Sequence, residues 1–315
     1  MQDLEIPLDL WSYLCKEKPD IIISTDLGYA ITYIGFIYSQ IYNVKFCLWN
    51  EQWHHVKHPR RYVTRWLEKY ICKKSDLIFA FGNKHAKYAM SLGASPATIH
   101  IVPNAVPDIN KLKEKKLDIP ELDSDSIFKI VCPARLIKVK GHVSLIHAMS
   151  LVVKKLPMAK LFIVGSGPDY KKLTKLVLKL DLEKHVYISG ESYNEYERNY
   201  LLSKADLVVL ASIDHRYVRA LEAWGLIVNE AMQYRKKIIV SDATGVSGEL
   251  IVHNETGLVF ENNNSYDICE KILSAALMDD DWILMLDNAE EIYKKNYTID
   301  VLIKKFDDGL RRLCE

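Results

Sequence analysis

The sequence has almost no excess charge of either sign: 42 Lys and Arg stand against 41 Asp and Glu over 315 residues, leaving +1. A global basic field of the kind that condenses on nucleic acid is therefore lacking, and an anion site must be assembled from a few local cations. No CxxC pair occurs, and the six cysteines, Cys15, Cys47, Cys72, Cys132, Cys269 and Cys314, are widely scattered. That spacing argues against a zinc cluster or a disulfide framework and suits a reducing cytoplasm. With only 13 Gly and 10 Pro and no internal repeat, fibrous and low-complexity classes drop out. The uncharged stretch 27–44 carries Thr32, Ser39, Gln40, Asn43, two glycines and four tyrosines. This polarity reads as a helix buried between a sheet and its neighbours rather than a bilayer span. The first twenty residues have early acids and no basic segment leading into an apolar one, so no export signal is expected.

Short β-branched runs alternate with longer segments of helical period, the pattern of βαβ units around parallel sheets. The length suits two domains. Residues 1–105 show strands over 20–24, 44–48, 77–81 and 98–102, with helices near 30–42, 59–72 and 84–92. From 103 to 125 the apolar period fades among Pro103, Pro107, Pro120 and alternating charges, which reads as a linker over 106–126. Residues 127–295 show six strands, over 128–132, 160–164, 185–188, 207–210, 237–240 and 257–260, enough for a Rossmann-like domain. The tail from 266 to 313 reads as helices, with 296–315 a helix that packs back on the first domain. The expected fold class is α/β, with two Rossmann-like domains.

Candidate chemistry gathers at the carboxyl ends of the second domain's strands, where open parallel sheets bind ligands. After its first strand, Arg135 and Lys140, followed by Gly141, lie in a loop that opens a helix. Two cations beside helix amides suit a diphosphate. After the second strand comes Gly165-Ser166-Gly167-Pro168, where glycines let the backbone approach a ligand. The third glycine and the downstream acid of a dinucleotide fingerprint are missing, which disfavours a nicotinamide cofactor. Beyond the strand at 207–210 and a loop with Asp214, His215, Arg216 and Arg219 come Glu222 and Glu230, separated by seven residues. If a helix starts at Gly225 or Leu226, the two carboxylates stand roughly 10 Å apart. The acid and nucleophile of a retaining glycosidase need about 5 to 5.5 Å, so each carboxylate serves a different hydroxyl group. Loops 241–250, with Glu249, and 254–259 converge on the same edge.

Taken together, Arg135, Lys140-Gly141, the Gly165 to Pro168 turn, Ala205-Asp206, the Glu222 to Glu230 motif, Glu249 and Thr256-Gly257 resemble a family 4 glycosyltransferase of the GT-B fold. The resemblance covers nearly the whole second domain and part of the first. It implies sugar transfer from a nucleoside-diphosphate sugar with retention at the anomeric carbon, without a metal or other cofactor. Arg135 and Lys140 would hold the diphosphate, Glu222 would contact sugar hydroxyls and Glu230 the ribose. Gly165, Gly167, Glu249 and the amides of Trp224, Gly225 and Leu226 would complete the donor site. The sequence opens on a segment resembling the middle of an ordinary acceptor domain, so the first domain is read as shortened. An open sheet edge there predicts self-association, or a cover supplied by residues 1–14 as a short helix. The alternative to an enzyme is a non-catalytic nucleotide-sugar-binding relative.

On the acceptor side, the loop 48–55 offers Glu51 or His54. Between 57 and 74, Lys57, Arg60, Arg61, Arg65, Lys69, Lys73 and Lys74 face one acid, Glu68, and interleave with Tyr62, Trp66, Leu67, Tyr70 and Ile71. Such a basic amphipathic helix suits either an anionic membrane face presenting a lipid-linked acceptor or a solvated surface. The expected setting is cytoplasmic, peripheral at the inner membrane face, with a glycan or lipid-linked acceptor and no nucleic acid.

Overall fold

The computed structural model describes residues 9–55, 59–109, 113–214, 222–277 and 279–314, without the side chains of 59–61 and 279. The chain divides into two compact units, Met1–Asn104 with Asp300–Glu315, and Ala105–Ile299. In the first unit come α1 (Leu10–Glu17), β1 (Ile21–Thr25), α2 (Ala30–Tyr42), β2 (Lys45–Asn50), α3 (Pro59–Lys74), β3 (Leu77–Ala80), α4 (Asn83–Ser91) and β4 (Ile99–Ile101). The four strands pair in parallel in the order β1-β2-β3-β4, with Ile23 opposite Cys47, Leu48 opposite Ile78 and Phe79 opposite His100.

Strand alternation sorts β2 between two cores. Phe46 and Leu48 join Leu27, Phe36, Ile71 and Ile78 on one face. Cys47 on the other joins Leu77, Phe79 and Val102, covered by Leu302, Phe306, Leu310 and Leu313 of a late helix, α11 (Ile299–Cys314). The Phe306 ring lies 4.9 Å from Phe79 and 5.6 Å from Trp49.

Two expectations are corrected here. The stretch 27–44 is not a fully buried helix: α2 buries Thr32, Gly35, Phe36, Tyr38 and Ser39, while Ile37, Ile41 and Tyr42 face solvent. The amino-terminal helix covers α2 instead of a sheet edge, because the Trp11 ring meets Tyr38 edge-on at 5.5 Å and the Tyr38 hydroxyl donates to the Leu14 carbonyl at 2.9 Å. Of the expected helix 1–14, residues 1–8 lie outside the described residues. No helix among the described residues is long and apolar enough to cross a membrane.

The second unit runs β5 (Phe128–Pro133), α5 (His142–Lys155), β6 (Ala159–Val164), α6 (Tyr170–Lys179), β7 (Val186–Ile188), α7 (Glu195–Lys204), β8 (Leu207–Leu210), α8 (Leu226–Gln233), β9 (Lys237–Ser241), β10 (Leu258–Phe260), α9 (Ser265–Leu277) and α10 (Asp279–Asn296). Its parallel sheet has the order β10-β9-β8-β5-β6-β7. Counted from β5, that is the doubly wound 3-2-1-4-5-6 arrangement, whose direction of winding reverses between β5 and β8.

The stretch 106–126 is no free linker. Val106, Ile119 and Leu122 are buried, Lys115 donates its amide to the Tyr196 carbonyl at 3.1 Å, and Asp123 accepts from the Tyr200 hydroxyl and pairs with Lys116 at 2.9 Å. Three apolar anchors among prolines and charges are too sparse to leave a periodic signal.

Candidate active site

The loops after β5 and β8 flank the reversal point of the second sheet, and they carry most of the residues singled out by the motifs. After β5, Arg135 is exposed, and Lys140 ends a single 3-10 turn, Lys138–Lys140. The Lys140 ammonium contacts Oε2 of Glu222, an atom that also accepts from the Ser212 hydroxyl at 2.7 Å. Glu222 is further tied in by a parallel bridge to Thr244 and by the Gly245 amide, which donates to its carbonyl at 3.2 Å. Lys140 and Glu222, given separate tasks by the motif reading, thus share one ion pair. The loop 215–221, with His215, Arg216 and Arg219, lies outside the described residues.

Glu230 occupies the first turns of α8 and is buried. Its partner is Arg198 on α7, whose Nε lies 2.8 Å from Oε2. Burial pushes the Glu230 carboxyl up to about 7, against the downward pull of Arg198. The start of α7 is fixed by a capping box in which Asn194 accepts from the Glu197 amide at 3.0 Å and Glu197 reaches back to the Asn194 amide at 3.1 Å. Tyr193, just before it, is half-buried and has its phenol pushed up to about 12 by desolvation, with Arg198 lowering it and Glu230 raising it.

Gly225 precedes α8 in the left-handed region at φ 116°, so the first α8 amides have no capping side chain. The Val228 amide donates to the Gly225 carbonyl at 2.9 Å, which leaves those of Leu226 and Ile227 to meet an anion. Trp224 serves the fold: it is buried, donates Nε1 to Asn229 Oδ1 at 2.8 Å and lies 5.9 Å from the Tyr297 ring. Glu249 stands near Tyr297, whose phenol rises to about 12 through burial first and Glu249 second.

The glycines of the Gly165 to Pro168 turn bring backbone against backbone. At φ 153°, a Cβ on Gly165 would lie 2.1 Å from the Ala134 carbonyl oxygen, and the Leu136 amide donates to Ser166 O at 2.8 Å. The turn braces the Arg135 loop, so its tightness is explained without a ligand.

In the first unit, Glu51 directly follows β2 and is half-buried. Burial raises its carboxyl pKa, the Thr25 hydroxyl at 3.2 Å lowers it, and Asp26 raises it. Gln52 donates Nε2 to Asp26. His54 donates Nδ1 to the His55 carbonyl at 2.9 Å and meets the Trp53 ring edge-on.

Sequence reasoning missed Ser212, Arg198 and Asp26. Ser212 and Asp26 follow the carboxyl ends of strands, a position that alone marks candidates. Arg198 gave no local signal, since only tertiary folding sets α7 against α8.

Two parallel α/β units, with a cation and carboxylate set at the second sheet's reversal point, define a GT-B glycosyltransferase fold. The model for glycosyl transferases group 1 matches residues 114–296, more than half of the chain, and the chain belongs to that family. It is 31% identical over 169 residues to the poly(glycerol-phosphate) alpha-glucosyltransferase of Bacillus subtilis, covering 53% of this chain and 23% of that protein. It is 26% identical over 183 residues to the GDP-mannose-dependent alpha-(1-6)-phosphatidylinositol monomannoside mannosyltransferase of Mycobacterium tuberculosis, covering 58% and 47%. The chain thus spans from about a quarter to about half of the length of these curated relatives. Among solved structures, it resembles the Anabaena HepE protein in complex with UDP and glucose, with TM-score 0.78 at 20% identity over 97% of this chain and 82% of that one. Sucrose-phosphate synthase of Thermosynechococcus elongatus gives TM-score 0.78 at 17% identity over 96% and 76%.

Proposed function

We propose that the protein transfers a sugar, with retention and without a metal, from a nucleoside-diphosphate sugar to a glycan or lipid-linked acceptor. The observation that carries this reading is the division of labour around α8: two carboxylates of one motif, each with its own cation, Glu222 with Lys140 and Glu230 with Arg198. Breaking the glycosyl bond leaves positive charge on the sugar and negative charge on the departing diphosphate. The exposed Arg135, Lys140 and the uncapped start of α8 would stabilise that negative charge. Glu222 would orient the sugar, and Glu230 would take ribose hydroxyls. A nucleoside diphosphate is already a good leaving group, so no general acid is required. Glu51, beside Thr25 and Asp26, is the acceptor-side candidate.

UDP, GDP or ADP is expected to raise the melting temperature in the presence of EDTA, because protein cations supply the countercharge. A thermal-shift series at about millimolar nucleotide tests this; no shift with any of the three would overturn the donor assignment. Release of nucleoside diphosphate only when acceptor is present separates an enzyme from a binding protein.

The peripheral membrane reading rests on α3. Tyr62, Trp66 and Tyr70 recur one turn apart and are 61%, 69% and 46% exposed, beside exposed Lys69, Lys73 and Lys74. Aromatics flanked by cations suit an anionic lipid surface. Lys57 and the side chains of Arg60 and Arg61 lie outside the described residues. Vesicles with anionic lipid are expected to sediment the protein at low salt, neutral vesicles not. Neutralising Lys69 and Lys73 should weaken binding about fivefold per cation. Concentration-dependent light scattering without lipid would assign the patch to a second copy of the chain.

A further inference from the structure

The near-neutral total conceals an uneven distribution of charge. From residue 138 to 184, ten lysines stand against three acids, Asp169, Asp181 and Glu183, with no arginine. Four of those lysines, Lys171, Lys172, Lys175 and Lys179, are exposed on α6. The helix buries Leu173 and Val177 in the core of the second unit, and its period sets the four lysines on the opposite side, around the exposed Leu178. Lys171, Lys175 and Lys179 form a straight row at i, i+4 and i+8, with steps of about 6 Å. Because α5 and α6 both return to the amino edge of one parallel sheet, the exposed Lys154 and Lys155 at the end of α5, and Lys184 ahead of β7, extend the charge at the edge where α6 ends.

Neither pairing nor helix stability accounts for this row. Other lysines of the unit are tied down, Lys115 to Glu197, Lys116 to Asp123 and Lys160 to Glu121. Among the described residues, the four α6 lysines make no ion pair or hydrogen bond. Lys171 and Lys172 sit in the first turn, which carries no acid and where the helix dipole disfavours a cation. Like charges at i and i+4 also repel. An anion laid along the row relieves both costs.

What the face lacks defines its partner. The aromatic of the helix, Tyr170, is turned onto Gly190, so no ring stands among the lysines to stack a base. The arginine forks suited to bidentate phosphate recognition are absent. A helix held in a bilayer surface puts its apolar face into lipid, and that of α6 is committed to the core. Point charges at regular steps along one line suit a flexible chain that carries anions at short intervals. We propose that the outer face of α6 binds an acidic glycan, a polysaccharide with an acid group in each repeat, along Lys171, Lys175 and Lys179. As the chemical class of the acceptor this rests on the transfer reading; as a binding surface it does not.

Fluorescence anisotropy of labelled decagalacturonate, titrated with the full chain in the absence of nucleotide, tests the proposal. Binding is expected at low salt and should weaken at least about tenfold at physiological salt. Monomeric galacturonate and neutral dextran should not compete. Lys171→Gln, Lys175→Gln and Lys179→Gln together should weaken binding at least about tenfold, whereas arginine at the same three positions should preserve it. Both variants should keep the UDP affinity of the unmodified chain. Lys69→Gln, Lys73→Gln and Lys74→Gln together, on α3, should leave decagalacturonate binding within about twofold. No binding, indifference to the α6 substitutions, or an equal loss in the α3 variant overturns the proposal. Single-stranded DNA or anionic vesicles held more tightly through the same three lysines would reassign the face and overturn it too. With nucleotide absent, a failed titration leaves the donor reading standing, and a failed thermal shift with UDP leaves this one.

Discussion

Replacing Glu222 by Gln is expected to lower kcat about 10²–10³-fold while changing UDP affinity less than about threefold. Gln keeps the shape and one acceptor oxygen but removes the charge that faces Lys140 and accepts from Ser212. That charge would matter most as the sugar becomes cationic, and an interaction made mainly in the transition state appears in kcat, not in binding. The measurements are release of nucleoside diphosphate under saturating donor and equilibrium binding of UDP. Parallel losses in both would place Glu222 on the nucleotide and sink the assignment. Lys140→Met should differ, weakening UDP as well, because it removes a cation from the diphosphate and strands the Glu222 carboxylate beside Ser212.

Glu230→Ala is expected to cost at least about tenfold in UDP affinity, since hydrogen bonds to a charged group contribute roughly 1.5–3 kcal/mol. The same side chain gives this affinity a pH dependence. With its carboxyl raised to about 7, Glu230 is largely protonated at pH 6 and largely ionised at pH 8. A ribose that donates to the ionised form should then bind about tenfold more tightly at pH 8 than at pH 6, and Glu230→Gln should flatten that slope. Stability moves the other way. A carboxyl that holds its proton more tightly folded than unfolded adds stability fully below the unfolded value near 4.5, and loses it as pH rises through about 7. Nucleotide affinity that is flat in the unmodified protein between pH 6 and 8 would remove Glu230 from the ribose.

Much of the fold was legible because strand and helix periods are local. The α2 span, Ala30–Tyr42, and the β8 span, Leu207–Leu210, match the sequence reading residue for residue. The second sheet's six strands were all visible as short apolar runs. What local pattern could not reveal was pairing across the fold. Arg198 is an unremarkable cation in a polar helix until α7 lies against α8. Lys140 looked like a free phosphate ligand until the β8 loop brought Glu222 to it. Trp224 sat inside the most informative motif yet serves packing, because its indole finds Asn229 five residues on. The stretch 106–126 misled for the opposite reason: its prolines and charges hide the few side chains that anchor it.

The cover supplied by α11 has a consequence for how the chain reaches this structure. Phe79 and Trp49, in the early strands of the first unit, are capped by Phe306 from the far end of the sequence, with the whole second unit intervening. During synthesis the second unit can close on itself before that helix leaves the ribosome, while one face of the first sheet waits bare. Contacts of such long sequence separation form late. The first unit is thus the one exposed longest to aggregation, and truncations that trim α11 should show their damage in the yield of soluble protein before they show it in the chemistry of the second unit.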